Sequence, residues 1–146
     1  MDILADTGIL LRFMEPTDPS RPTIVRALSI IRARGDRLII IPQNAAEFWN
    51  VCTRPKTSRG GMGLSVKETD NRLIQIERGF PLLYDDDMTY RNWRSLIVTH
   101  SVLGKQVHDA RLVALMKTNG IAHILTLNGG DFSRYPGIVA IDPANP

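Results

Sequence analysis

The chain has 146 residues and a mass of 16.3 kDa, the size of one domain that buries about two thirds of its unfolded surface and needs neither disulfides nor a structural metal to hold it. Its 43% apolar and 23% charged residues exclude wholesale disorder, collagen and a coiled coil. Eighteen Lys and Arg against fifteen Asp and Glu leave a net charge of +3, an excess that permits a polyanionic partner without identifying one. Taken in chain order, Ile3–Ala5 is a short apolar strand that ends at Asp6-Thr7-Gly8, after which Ile9, Leu10, Phe13 and Met14 recur at helical spacing. Pro22 suits a helix start, and Ile24, Leu28 and Ile31 mark one face until Gly35. Arg37–Ile41 reads as a buried β-branched strand ended by Pro42. A helix follows with Asn44 as its expected cap, Phe48, Trp49 and Cys52 on its apolar stripe, Glu47 in its first turn and its end before Pro55.

Ser65 and Glu68 have capping-box spacing, which predicts a helix over Val66–Arg78. Phe80–Tyr84 is expected to be a short strand, and Met88–Ser101 and Val107–Asn119 to be helices, the second stopped by Gly120. Ile121–Leu127 and Ile138–Ile141 are the last strands. The stretch Arg54–Gly63 is too short to separate two domains, so residues 1–146 read as one. Strands alternating with helices imply an α/β sandwich with a mainly parallel sheet.

In open parallel sheets, ligands bind beyond the carboxyl ends of the strands, where helices begin. Asp6 ends the first strand, Glu47 follows the second, Asp109 starts a late helix and Asp131 follows Ile121–Leu127, so all four are expected at one edge of the sheet. Facing carboxylates repel unless a cation neutralises them, and oxygen-only ligands favour Mg²⁺ or Mn²⁺ over zinc. The chemistry inferred is hydrolysis of a phosphodiester. The plainer alternative is that each acidic residue caps a helix or complements its dipole, for about 0.3–1 kcal/mol apiece.

The segments ILADTGILL, NAAEFWNV, HDARLVAL and TLNGGDFSRYPGI resemble, in order and over nearly the whole chain, the signature blocks of PIN-domain ribonucleases, in particular the VapC toxins of bacterial VapBC toxin–antitoxin pairs. The resemblance implies a PIN-like three-layer α/β/α sandwich and a Mg²⁺- or Mn²⁺-dependent endoribonuclease, with Asp6, Glu47 and Asp109 in its acidic core and Thr7 at the position after the first aspartate. It also implies a homodimer, a proteic antitoxin as partner and RNA as substrate. One position departs from the pattern: Asn128 stands where many relatives carry the fourth acidic residue, and Asp131 comes three residues later, at a second acidic position often followed by Phe. Asn128 offers a carbonyl oxygen to a metal or its water, and Asp131 a carboxylate, direct or through water.

Other residues have competing readings. Asp85-Asp86-Asp87 resembles a metal-binding run but sits where Met88 needs a cap. His100, His108 and His123 lack zinc spacing, and only His108, beside Asp109, is kept as a possible contact to substrate or a carboxylate. Thr126 either orients a carboxylate or water, or merely ends a strand. Arg54, Lys56 and Arg59, in a glycine-rich loop after the Glu47 helix, suit an RNA backbone or are simply solvated, and Arg111 binds phosphate or pairs with a carboxylate. Trp49 and Trp93 fall on apolar stripes and read as core before base-stacking platforms. The lone Cys52, without CxxC spacing, reads as core. No apolar run approaches a membrane span, and the first ten residues lack a basic n-region, so a cytoplasmic protein without membrane association is expected. Two other readings compete with the ribonuclease: a catalytically idle PIN-like module that binds RNA or protein, and a structure-specific DNA nuclease, disfavoured by the lack of long insertions.

Overall fold

Side chains alternate across a strand with period two, and the first strand, β1 (Asp2–Ala5), shows what that does here. Ile3 and Ala5 enter one apolar core and Leu4 the other, all three with no exposure. The structure is a computed structural model describing residues 1–146. After β1 come α1 (Thr7–Met14), α2 (Arg21–Ala33), β2 (Arg37–Ile39), α3 (Pro42–Thr53), α4 (Val66–Gly79), α5 (Asp87–Thr99), α6 (Gln106–Thr118), β3 (His123–Leu125), a 3-10 turn (Gly129–Phe132) and β4 (Val139–Ile141). The four strands form one sheet in the order β2-β1-β3-β4, with every neighbouring pair parallel. Leu4, Ile39 and Ile124 point into a core with α6 and part of α5, whereas Leu38, Ile40 and Leu125 point into one with α1, α2, α3 and Ile76 of α4. Helices therefore cover both faces, as the near-continuous apolar strands require, and the expected three-layer α/β/α sandwich is the one observed. No helix is long and apolar enough to cross a membrane.

The helix limits follow from local chemistry. Ser65 and Glu68 form the expected reciprocal box, with the Glu68 amide donating to Ser65 Oγ (3.2 Å) and the Ser65 amide to Glu68 Oε2 (2.9 Å). Asp86 caps α5, its Oδ1 accepting from the Thr89 amide at 2.8 Å, so the middle of the Asp85–Asp87 run is a cap. Gly120, at φ +66°, ends α6 in the left-handed conformation that favours glycine. Cys52 is fully buried in the core, as expected.

Two expectations are corrected. Phe80–Tyr84 is not a strand: Leu82 makes an isolated bridge to Ile40, since Pro81 has no amide hydrogen to extend a ladder. Asn44 is not the cap of α3, which starts earlier, at Pro42, with Ile41 in the cap position. Asn44 instead sits in the first turn and reaches back, its Oδ1 accepting from the Ile41 amide at 2.9 Å, and Glu47 is carried one turn further into the helix. Asn44 also donates from Nδ2 to Thr7 Oγ1 at 3.1 Å and is fully buried. Asn44→Ala is expected to cost about 1–3 kcal/mol by stranding the Ile41 amide. Thermal or urea unfolding measures it, and an unchanged midpoint would contradict this role.

Candidate active site

The carboxyl ends of β1 and β3 and the starts of α3 and α6 face one open cavity of about 890 Å³. Asp6, Glu47, Asp109 and Asp131 all line it, together with Thr7, Arg54, Arg111 and Asn128. Four acidic residues spread over 126 positions of chain thus meet at one edge of the sheet, where the strand-end rule places ligands.

Side-chain capping bonds do not account for them, although Asp109 and Asp131 stand in first turns, where a carboxylate also complements the helix dipole. Asp6 holds the cap position of α1, yet its side chain makes no capping hydrogen bond. Its Oδ2 accepts instead from Thr126 Oγ1 at 2.7 Å, across the β1–β3 junction, so the Thr126 hydroxyl meets a carboxylate. Asp109 lies in the first turn of α6, whose cap residue is Lys105. Asp131 enters the first turn of the 3-10 segment, where Asn128 is the cap residue. Glu47 is held at both oxygens: Thr7 Oγ1 donates to Oε2 and Gln43 Nε2 to Oε1, each at 2.7 Å.

The electrostatics are those of burial reinforced by repulsion among the carboxylates. Burial first, and then the negative charges of Asp131, Asp6 and Glu47, push the Asp109 carboxyl up to about 6, with His108 opposing. Asp6 is also raised, by burial first and then by Glu47 and Asp131, against the hydrogen bonds from Thr126 and Thr7 that favour its charged form. His108 lines the cavity, and its carbonyl accepts from Gln43 Nε2 at 3.0 Å.

Gln43 was not singled out from the sequence. Its amide nitrogen faces two acceptors, Glu47 Oε1 and the His108 carbonyl, which fixes the orientation of the amide. Its Oε1 is buried with no donor. A neutral amide among carboxylates carries no motif, and the only available signal was its place four residues before Glu47, on the same helix face.

The cationic loop divides. It folds back on the end of α3, with the amides of Met62, Gly63 and Leu64 donating to the carbonyls of Val51, Arg54 and Cys52 at 2.8–3.1 Å. A Cβ at Gly61 would stand 2.2 Å from the Pro55 carbonyl oxygen, so the fold-back requires glycine there. Arg54 is thereby brought to the cavity, with its Nε buried and unpartnered. Lys56 and Arg59 are exposed and do not line it. The loop is therefore a bonded turn that presents one of its three cations to the cavity. Arg111 lines the cavity while pairing with Asp85, which is outside the acidic group. Trp93 packs against the core and donates from Nε1 to the Val107 carbonyl at 2.9 Å, and Trp49 is half-buried.

No three His, Cys, Asp or Glu side chains stand close enough together to hold a metal ion as they are placed. The chemistry of the set still fits a hard cation. Every acidic donor is oxygen, two carboxyls are raised by burial and then by their neighbours' charge, and the orphaned Gln43 Oε1 adds an acceptor with no donor.

The sequence matches no protein-family model and no curated protein. Solved structures do match over nearly the whole chain. A chain of VapBC2 from Rickettsia felis, bound to a DNA fragment from its promoter, aligns with TM-score 0.73 and 13% identity, covering 97% of this chain and 98% of that one. FitAcB from Neisseria gonorrhoeae aligns with TM-score 0.70 and 19% identity, covering 98% of each chain. VapC20 from Mycobacterium tuberculosis, a sarcin-ricin loop cleaving toxin, aligns with TM-score 0.58 and 17% identity over 84% of this chain and 86% of that one. The fold is PIN-like. At such low identity the shared property is the PIN-like architecture, and the acidic cavity at the carboxyl edge of its sheet is established by this chain's own residues.

Proposed function

We propose that the chain is a Mg²⁺- or Mn²⁺-dependent endoribonuclease that hydrolyses RNA phosphodiester bonds and serves as the toxin of a type II toxin–antitoxin pair. The observation that carries the reading is the meeting of Asp6, Glu47, Asp109 and Asp131 in one cavity, with Asp109 raised to about 6 in part by the charge of the other three. The likeness of fold to toxins, one of which cleaves the sarcin-ricin loop, supports the same reading. Asp6, Glu47 and Asp109 are assigned to the metal, with Asp131 and the Asn128 carbonyl completing the set. A bound cation supplies activation of water and stabilisation of the charge that builds on the phosphate. Thr126 fixes the orientation of Asp6, and Thr7 and Gln43 that of Glu47. Arg54 and Arg111, which line the cavity, are assigned to the phosphate chain, with Lys56 and Arg59 left for backbone beyond it.

Calorimetry with Mn²⁺ tests the metal site and separates the enzyme from an idle binding module. The ribonuclease predicts saturable binding that Asp6→Asn weakens, whereas heats identical in both proteins would favour the idle module. The fourth acidic position has its own test. Asp131→Ala is expected to raise the Mn²⁺ midpoint for RNA cleavage about tenfold and to recover partly at high Mn²⁺. Asn128→Asp should lower that midpoint by adding the missing charge. An unchanged midpoint for Asp131→Ala would remove the residue from the site.

The partner assignments are a homodimer and a cognate proteic antitoxin. Apolar side chains left exposed on α4 and α5, among them Val66 at 66% and Val98 at 74%, support a subunit or partner contact. The mass in solution at micromolar concentration is expected to be twice that of the chain, and a monomer would refute the homodimer alone.

A further inference from the structure

Beside the carboxylate cavity lies a second one, of about 270 Å³, between the start of α5 and the exposed side of α6. Its lining consists of Asp85, Asp86, Thr89, Tyr90, Trp93 and Arg111. Arg111 lines both cavities and so stands at the boundary between them.

The two aromatic rings are 6.0 Å apart at an interplanar angle of 39°, tilted rather than stacked on each other. Trp93 is anchored by its core packing and by its hydrogen bond to the Val107 carbonyl, whereas Tyr90 is 62% exposed on a well-capped helix. A large aromatic side chain left in water at the mouth of a cavity offers a face for a flat ring. The acidic residues here have capacity to spare. Asp86 uses Oδ1 for the Thr89 amide and hydroxyl, and Asp85 uses Oδ2 for Arg111, leaving one oxygen of each carboxylate outside these bonds.

We propose that this second cavity is a nucleobase subsite: it takes one base of a single-stranded RNA, guanine before the others, while the adjoining phosphate passes Arg111 into the carboxylate cavity. The proposal rests on the ribonuclease reading and extends it to substrate choice. Two carboxylates repel phosphate, so the lining selects the base and not the backbone. Carboxylate oxygens accept hydrogen bonds, and guanine presents two adjacent donor groups, N1–H and the N2 amine, where adenine and cytosine present one amine and uracil one N–H. Stacking on an aromatic face with hydrogen bonds to the Watson–Crick edge is how unpaired RNA bases are read.

The test measures binding by fluorescence anisotropy in Mn²⁺, in an Asp6→Asn background that prevents turnover. The probes are a uridine hexamer and the same hexamer with one guanosine or one inosine, which keeps N1–H and lacks the N2 amine. The guanosine hexamer is expected to bind about tenfold tighter than the uridine hexamer, with inosine between them. Tyr90→Ala, at an exposed position that does not threaten folding, should abolish that preference and leave uridine binding in place. Equal affinity for the three hexamers, or a preference untouched by Tyr90→Ala, would overturn the subsite. If the otherwise unaltered chain still cleaves RNA in Mn²⁺, such a result leaves the ribonuclease reading standing, whereas absence of both binding and cleavage brings down both.

Discussion

Asp6→Asn is expected to lower the rate of Mn²⁺-dependent RNA cleavage by on the order of a thousandfold while leaving the fold intact. The substitution keeps the size of the side chain and its acceptor for Thr126, whose hydroxyl lies 2.7 Å from Asp6 Oδ2. What it removes is one negative charge from the cavity, and with it part of the attraction for the proposed cation, which would carry several kcal/mol of transition-state stabilisation. Thr126→Val should act in the same direction more weakly, about tenfold, since Asp6 keeps its charge and loses only its orientation. Single-turnover cleavage rates, with circular dichroism to verify folding, give both numbers. A drop in Asp6→Asn no larger than in Thr126→Val would mean that Asp6 does not bind the metal.

The second large effect concerns stability. The Asp109 carboxyl is pushed up to about 6 in the folded chain, against 3.8 for an unperturbed aspartate. Between those values the folded form binds more protons than the unfolded form, so the stability of the metal-free protein falls as pH rises from about 4 through 6. The penalty is complete above the folded value and absent below the unfolded one. Asp6 is shifted the same way and adds to the trend. In metal-free buffer at pH 7.5, Asp109→Asn is therefore expected to be more stable than the parent by roughly 1 kcal/mol, discounted for the group's partial exposure, or about 3 °C in melting temperature. Near pH 4 the two proteins should melt together. Mn²⁺ at about a hundredfold excess over its dissociation constant should raise the parent by about 2.7 kcal/mol and Asp109→Asn by much less. Equal shifts in the two proteins would exclude Asp109 from the metal site.

The fold was legible where one interaction sets a boundary. Ser65 and Glu68 specify the start of α4 by themselves, and the apolar run Ile3–Ala5, ended by Asp6-Thr7-Gly8, marks β1. Asn44 misled because the same side chain that can cap a helix can also reach back from its first turn, and only the backbone path distinguishes the two. The acidic residues were legible because strand ends and helix starts converge in a parallel sheet. Gln43 was not legible, since its importance lies in which two acceptors its nitrogen meets, Glu47 near in sequence and His108 far away. The sorting of Arg54 from Lys56 and Arg59 depends on a fold-back held by three amide hydrogen bonds and by the close approach at Gly61, long-range facts that composition does not contain.

A chelator challenge of RNA cleavage tests the central claim most directly. The purified chain is incubated with a single-stranded RNA in Mn²⁺, then with excess EDTA, and then with Mn²⁺ restored, alongside Glu47→Gln. The account predicts cleavage that stops with EDTA, returns with Mn²⁺ and stays near background in Glu47→Gln throughout. Cleavage that persists in EDTA, or that Glu47→Gln retains at the parent rate, would contradict it.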